Sequence, residues 1–176
     1  MCTGNQCRSP MAAALAGHAL AEQGCDTTVR SAGFVGSGVP PSEATVEILA
    51  ERGLDAAGHL SSRVSADVVS TADLVLTMTR QHLIDVVVLS PDTWSHCFTL
   101  ADAVRRARAV GPRSSDVSVE AWVARLHGGR QRSSLLSLPL EDDIADPMGQ
   151  RRSAYLEVLD HLDALVSELT SLLCPA

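Results

Sequence analysis

The chain has 176 residues, 45% of them hydrophobic, a formal net charge of -7, and 14 basic residues, all of them arginine. That length can build one sizeable core, and the negative balance excludes a nucleic-acid partner, whose phosphates demand a basic face, and an acidic membrane surface. The lack of lysine excludes Schiff-base chemistry and a nucleotide P-loop, and no uninterrupted apolar run is long enough to cross a bilayer.

The chain opens on a loop that combines a thiol, an arginine and a helix start. Gly4 and Asn5 tolerate left-handed backbone angles, so the N–H groups of Thr3, Gly4, Asn5, Gln6 and Cys7 can turn inward as an anion nest. Cys2 lies before that nest, and Arg8, after it, supplies a planar fork that matches two phosphate oxygens. Ser9 reads as an N-cap and Pro10 as the first residue of a helix to about Gln23, closed by Gly24. The positive end of that helix faces the loop, and a helix N-terminus with an arginine nearby is the setting that makes a cysteine reactive.

Further along, Thr27 to Ser31 reads as a short strand leading into the glycine-rich stretch Gly33 to Val39. Ser42 to Arg52 is a second helix, capped by Ser42 and stopped by Gly53. Asp73 to Met78 is an apolar strand of the buried parallel kind, followed by a helix from Arg80 to Leu89, and Trp94 to Phe98 reads as the next strand. Thr99 to Val110 and Val117 to Leu126 are expected to be helical, Gly128 to Ser134 a mobile surface loop, and Gln150 to Leu173 the long amphipathic final helix. Strands separated by helices predict an α/β fold, a single domain over 1–176, with a parallel sheet covered on both faces and its ligand at the carboxyl ends of the strands.

The opening segment, CTGNQCRSP, resembles the signature C-x-G-N-x-C-R-S-P of the low-molecular-weight protein tyrosine phosphatases at every fixed position. Asp142 to Gly149 is similar to the aspartate-proline loop of that family, and Ser31-Ala32-Gly33, His59 before Ser62-Arg63, and Ala72 to Thr79 fall in the family's order between the two anchors. The similarity weakens between about Arg105 and Leu140, where this chain is longer. The resemblance implies a phosphoprotein phosphatase in which Cys2 attacks phosphorus, Arg8 and the loop N–H groups hold the equatorial oxygens, and Asp146 protonates the leaving oxygen. With Asp146 then acting as base, water hydrolyses the cysteinyl-phosphate, so no metal or cofactor is implied. Ser9 would donate to the Cys2 sulfur, and Asn5, Ser31 and His59 would hold the loop in shape.

The family also places an apolar strand of about five residues, central in the sheet, directly before the cysteine, whereas only Met1 precedes Cys2 here. We expect the native start to lie upstream of a mis-assigned internal methionine. A true truncation, lacking that first strand, would leave a slot beside Cys2 and an insoluble, molten or inactive protein.

Substrate is open at this level. Met148-Gly149 stand where tyrosine-directed members often carry aromatic residues, and Phe34 is the best-placed residue for a pocket wall. Thr3 is shared with the family's protein arginine phosphatases and could admit a guanidinium. Phosphotyrosine hydrolysis is the first reading. Phosphoarginine hydrolysis, arsenate reduction on the same fold and an inactive phosphate-binding module are the alternatives.

The five cysteines are odd in number and widely spread, which suggests neither a disulfide framework nor zinc, and suits a reducing cytoplasm with a phosphorylated protein as the partner. Cys25, Cys97 and Cys174 read as small hydrophobes, and Cys2 and Cys7 as a pair able to link reversibly after peroxide oxidation. His18, His82, His96, His127 and His161 show no ligand spacing and read as structural or exposed.

Overall fold

The structure, a computed structural model, describes residues 1–137 and 139–174. Its helices are α1 (Arg8–Glu22), α2 (Glu43–Glu51), α3 (Ala66–Ser70), α4 (Arg80–Leu89), α5 (Leu100–Val110), α6 (Val119–His127) and α7 (Arg152–Leu173), and its strands β1 (Val75–Thr77) and β2 (Cys97–Thr99). Local chemistry sets most of the helix starts. Ser42, Ser65, Thr79, Thr99 and Ser118 each accept the backbone N–H three residues on, which satisfies a donor that the first turn leaves unpaired. The short α3 was not foreseen, because five residues are too few for an apolar period to show.

The sheet is parallel throughout, as expected. β1 pairs with β2 in register Val75 to Cys97, and isolated parallel bridges join Cys2 to Gly33 and Gly33 to Arg63. Met1 ties these two parts together: its nitrogen donates to Leu76 O (2.5 Å) and its carbonyl accepts Met78 N–H (3.0 Å). The lateral order is thus Arg63, Gly33, Met1–Cys2, β1, β2, with Cys2 between the two halves. Alternation along the strands gives each face its own core. Leu76 and Phe98 face α1, α2, α5 and α7, whereas Val75 and Cys97 face Val69 of α3 and Leu83, Val86 and Val87 of α4.

Two predicted strands differ from the structure. Thr27 to Ser31 forms no strand: the nearest ladder bond, from Cys2 N–H to Ala32 O at 3.4 Å, lies one residue beyond it, and a strand exists only through its neighbours' hydrogen bonds. The strand expected over Trp94 to Phe98 is displaced to Cys97–Thr99, since Pro91 starts a 3-10 turn over Pro91–Ser95 in which the Thr93 hydroxyl donates to Ser90 O at 2.6 Å. Gly128 to Ser134 is not simply a surface loop either. Arg130 is buried, with its guanidinium 3.7 Å from the Trp94 ring centroid and 4.1 Å from that of Phe98.

The reading of all three later cysteines as lone hydrophobes is corrected for two of them. Cys25 and Cys174 form a disulfide with their Cα atoms 6.0 Å apart, while Cys97 stays a free, fully buried thiol. The pair is invisible to spacing because it lies 149 residues apart in sequence. It forms because α1 and α7 pack side by side with their C-terminal ends together, as the bond from Gln23 Nε2 to Thr170 Oγ1 (3.5 Å) also records. In the chain-entropy account a loop this long restrains the unfolded chain by about 5 kcal/mol.

Candidate active site

The loop between Cys2 and α1 is shaped by contacts from behind. Asn5 has φ +52°, the left-handed region expected of it, and its side chain is the hub of the loop. Its Nδ2 donates to Ser9 Oγ (2.9 Å) and Ser31 Oγ (2.8 Å), its Oδ1 accepts Ser62 N–H (2.8 Å), and its carbonyl accepts from His59 Nε2 (2.9 Å). Gly33 allows this closeness, since a Cβ there would lie 2.7 Å from Thr3 O and 2.8 Å from Asn5 N. Ser31 and His59 are therefore both in contact with the loop residue that the sequence singled out.

Of the two places expected of Ser9, the helix cap and the side of the Cys2 sulfur, it takes the second. α1 begins at Arg8 with Cys7 at its N-cap and no side-chain cap, and the Ser9 hydroxyl turns inward to lie 3.0 Å from Cys2 Sγ. Ser9 Oγ also accepts from Asn5 Nδ2, so the hydroxyl is held between the loop's hub and the sulfur.

Arg8 is 4% exposed and bridges the two ends of the sequence: Nη1 donates to Ile144 O (3.1 Å) and Nη2 to Asp146 Oδ2 (2.5 Å). Its buried Nε has no partner among the described residues, a donor left over in a place where burial makes an unpaired donor costly. Asp146 is half exposed, and its other carboxylate oxygen accepts Met148 N–H at 3.1 Å. The structure thus brings Cys2, Asn5, Ser9, Ser31 and His59 into one network and joins Arg8 to Asp146. Gln6 turns away, its Nε2 donating to Pro40 O at 3.1 Å. Cys7 packs in the loop floor, where burial pushes its thiol up to about 11.

His82 is the residue that sequence reasoning missed. It is buried, its Nε2 lies 3.0 Å from Thr3 Oγ1, its Nδ1 lies 2.9 Å from Thr79 Oγ1, and Phe34 stacks on its ring with centroids 5.5 Å apart. The Thr79 hydroxyl also accepts the His82 backbone N–H, and the two ring nitrogens of His82 link Thr79 Oγ1 to Thr3 Oγ1 at the rim of the loop. The available signal was position, since His82 follows the carboxyl end of β1, where parallel sheets place their ligands.

Burial, then the charges of Arg8 and of the Met1 nitrogen, lower the His82 pKa from the ordinary 6.5 to about 4, against the opposing pull of Asp85 and Asp146. Between those values the unfolded chain binds a proton that the folded chain refuses, so stability falls as pH drops through that window, by about 3 kcal/mol at most. His127, also lowered by burial, adds in the same direction. Urea denaturation at pH 7 and pH 4.5 should show His82→Gln to be less acid-sensitive than the unsubstituted protein. An unchanged pH dependence would contradict this placement of the proton.

A parallel α/β fold with a thiol at the foot of a loop that enters a helix is an arrangement that can receive an anion beside a nucleophile. The chain belongs to the low molecular weight phosphotyrosine protein phosphatase family, whose sequence pattern matches residues 1–111. It is 31% identical to the protein-arginine-phosphatase of Bacillus subtilis (strain 168) over 172 residues, 96% of this chain and 91% of that one. It is also 31% identical to the probable low molecular weight protein-tyrosine-phosphatase EpsP of Ralstonia nicotianae over 138 residues, 72% of this chain and 92% of that one. The crystal structure of the low molecular weight protein tyrosine phosphatase from T. tengcongensis matches with a TM-score of 0.72 at 28% identity, covering 96% of this chain and 92% of that one. The named tyrosine phosphatases among these homologues are hydrolases, and the family and fold class expected from the sequence are those found.

Proposed function

We propose that the protein is a phosphoprotein phosphatase that hydrolyses phosphotyrosine through a cysteinyl-phosphate on Cys2. The observation that carries this reading is the placement of Cys2 Sγ against Ser9 Oγ at the foot of a loop whose arginine keeps a buried, unpartnered Nε. A phosphoryl group entering the loop gives that Nε an acceptor and takes over the Nη2 that Asp146 occupies in its absence. Asp146, released from the arginine and half exposed, takes up a proton from solvent and stands over the leaving oxygen. The Cys2 thiolate attacks phosphorus, the P–O bond breaks, and the proton of Asp146 goes to the leaving oxygen. In the second step Asp146 takes a proton from water, the resulting oxygen attacks phosphorus, and the sulfur leaves with its charge eased by Ser9. The substrate is a phosphorylated protein, and the compartment must leave Cys2 reduced for attack while tolerating the Cys25–Cys174 bond.

Thr3 favours a second reading. Its hydroxyl, held by His82 at the exposed rim of the loop, is a polar contact suited to a guanidinium, and the similarity to a protein-arginine-phosphatase runs over nearly the whole chain. Arsenate reduction is disfavoured, because a cysteine relay needs accessible thiols, whereas Cys97 is 0% exposed and Cys25 and Cys174 are bonded to each other. The test is hydrolysis of matched phosphotyrosine and phosphoarginine peptides by the purified protein. Faster release from phosphotyrosine supports the first reading, faster release from phosphoarginine the second, and release from neither contradicts both.

A further inference from the structure

The segment carrying Asp146 has little secondary structure of its own, so something else must hold it. Only a 3-10 turn over Leu140–Asp142 precedes it, and residues 143–147 adopt neither helix nor strand. Three attachments fix the approach to Asp146: Asp143 Oδ1 accepts Arg80 N–H (2.7 Å), Ile144 N–H donates to Met78 O (2.7 Å), and Ile144 O accepts from Arg8. A fourth lies at Asp142, whose side chain is only 3% exposed yet carries a carboxylate. A buried carboxylate needs a cation with matching hydrogen bonds, and Arg105 supplies both. Its Nη1 donates to Asp142 Oδ1 (2.7 Å) and its Nη2 to Asp142 Oδ2 (3.0 Å), the two-pronged geometry in which arginine binds carboxylate most specifically.

Arg105 is itself aimed by Asp102, in the first turn of α5 and 2% exposed, whose Oδ1 accepts from Arg105 Nη2 at 2.7 Å. The same Asp102 accepts from Arg106 Nε (3.0 Å), and Arg106 Nη1 reaches the carbonyls of Leu126 and Gly128 at the end of α6. Arg130 approaches Asp102 as well, at 4.0 Å. Asp102 therefore ties the part of the chain least like the family to the cation that grips the acid loop. The two carboxylates depend on Arg105 unequally: without it Asp102 keeps Arg106 and Arg130, while Asp142 loses its side-chain cation. The Arg105 side chain is also half exposed, so shortening it opens no core cavity.

We propose that Arg105, seated on Asp102 and forked onto Asp142, is a positioning residue that holds the 142–146 segment so that the Asp146 carboxyl meets the leaving group. The proposal rests on the reading of Asp146 as general acid. The test is kcat/KM, which reports the first phosphoryl transfer, across aryl phosphates whose leaving groups span a wide range of basicity. Arg105→Met should slow the most basic leaving groups by ~10 to 100-fold and leave the least basic within about twofold, because only the former need a well-placed proton. Arg105→Lys, which keeps the charge and loses the fork, should fall between. Inorganic phosphate should inhibit each Arg105 variant at least as strongly as the unsubstituted protein, since the loop around Cys2 is untouched and a loosened Asp146 competes less for Arg8.

In the Asp146→Ala background, Arg105→Met should cost nothing further, as expected of two residues acting through one proton transfer. The pair Arg105→Met with Asp142→Asn removes cation and carboxylate together, which keeps a folded comparison available if the single variant unfolds, and should show the same leaving-group signature. An equal slowing of all leaving groups, or full additivity with Asp146→Ala, overturns the proposal and leaves Arg105 a structural residue. If Asp146→Ala itself shows no dependence on the leaving group, it is the general-acid reading that has failed.

Discussion

Cys2→Ser abolishes turnover of an aryl phosphate, by roughly 10⁴-fold or more, while inorganic phosphate still binds. The substitution removes the sulfur and leaves the loop donors, Arg8 and the helix start intact, so affinity for an oxyanion survives the loss of chemistry. A serine hydroxyl there has the Ser9 hydroxyl as its neighbour, which is no base. Steady-state kinetics and phosphate titration of the same preparation give both readouts. Retention of a rate within about tenfold of the unsubstituted protein, in a folded variant, would contradict the role of Cys2.

Asp146→Ala slows phosphates with basic leaving groups by ~10² to 10³-fold and those with acidic leaving groups far less. It has a second consequence that follows from the anion-free geometry. Asp146 occupies Arg8 Nη2, so phosphate must displace it on entry. Removing the carboxylate also removes a negative charge beside the site, and phosphate should bind several-fold more tightly to the variant. Weaker phosphate binding would show that the ion pair does not compete with the ligand.

What the sequence revealed of this site follows from how local each feature is. The loop from Cys2 to Ser9 was legible because its chemistry is written in adjacent residues, and Asn5 adopts the left-handed angle its side chain permits. Asp146 was legible through resemblance alone, since 138 residues separate it from Arg8. Local preference put Ser9 at the helix cap and resemblance put it beside the Cys2 sulfur; its hydroxyl lies at the sulfur, and Cys7 holds the cap position. His82 looked inert because a histidine acquires meaning from what faces it, and Thr3, Thr79 and Phe34 come from three separate stretches of chain.

The helices α2 and α4 lie where their caps and apolar periods put them. The strands were read less well, because a strand of three residues carries almost no period and owes its existence to partners elsewhere. The Cys25–Cys174 bond and the Asp102–Arg105–Asp142 chain are long-range for the same reason: each needs the packing of whole helices before its members meet.

The whole mechanism turns on whether phosphate passes through covalent attachment to Cys2. Quenching the reaction with an aryl phosphate inside its first turnover, and locating the phosphoryl group by peptide mass spectrometry, tests this most directly. The expected result is a burst of released phenol equal to one per active protein and a phosphoryl group on the peptide that contains Cys2. Steady turnover with no burst and no phosphoryl group on Cys2 would contradict it.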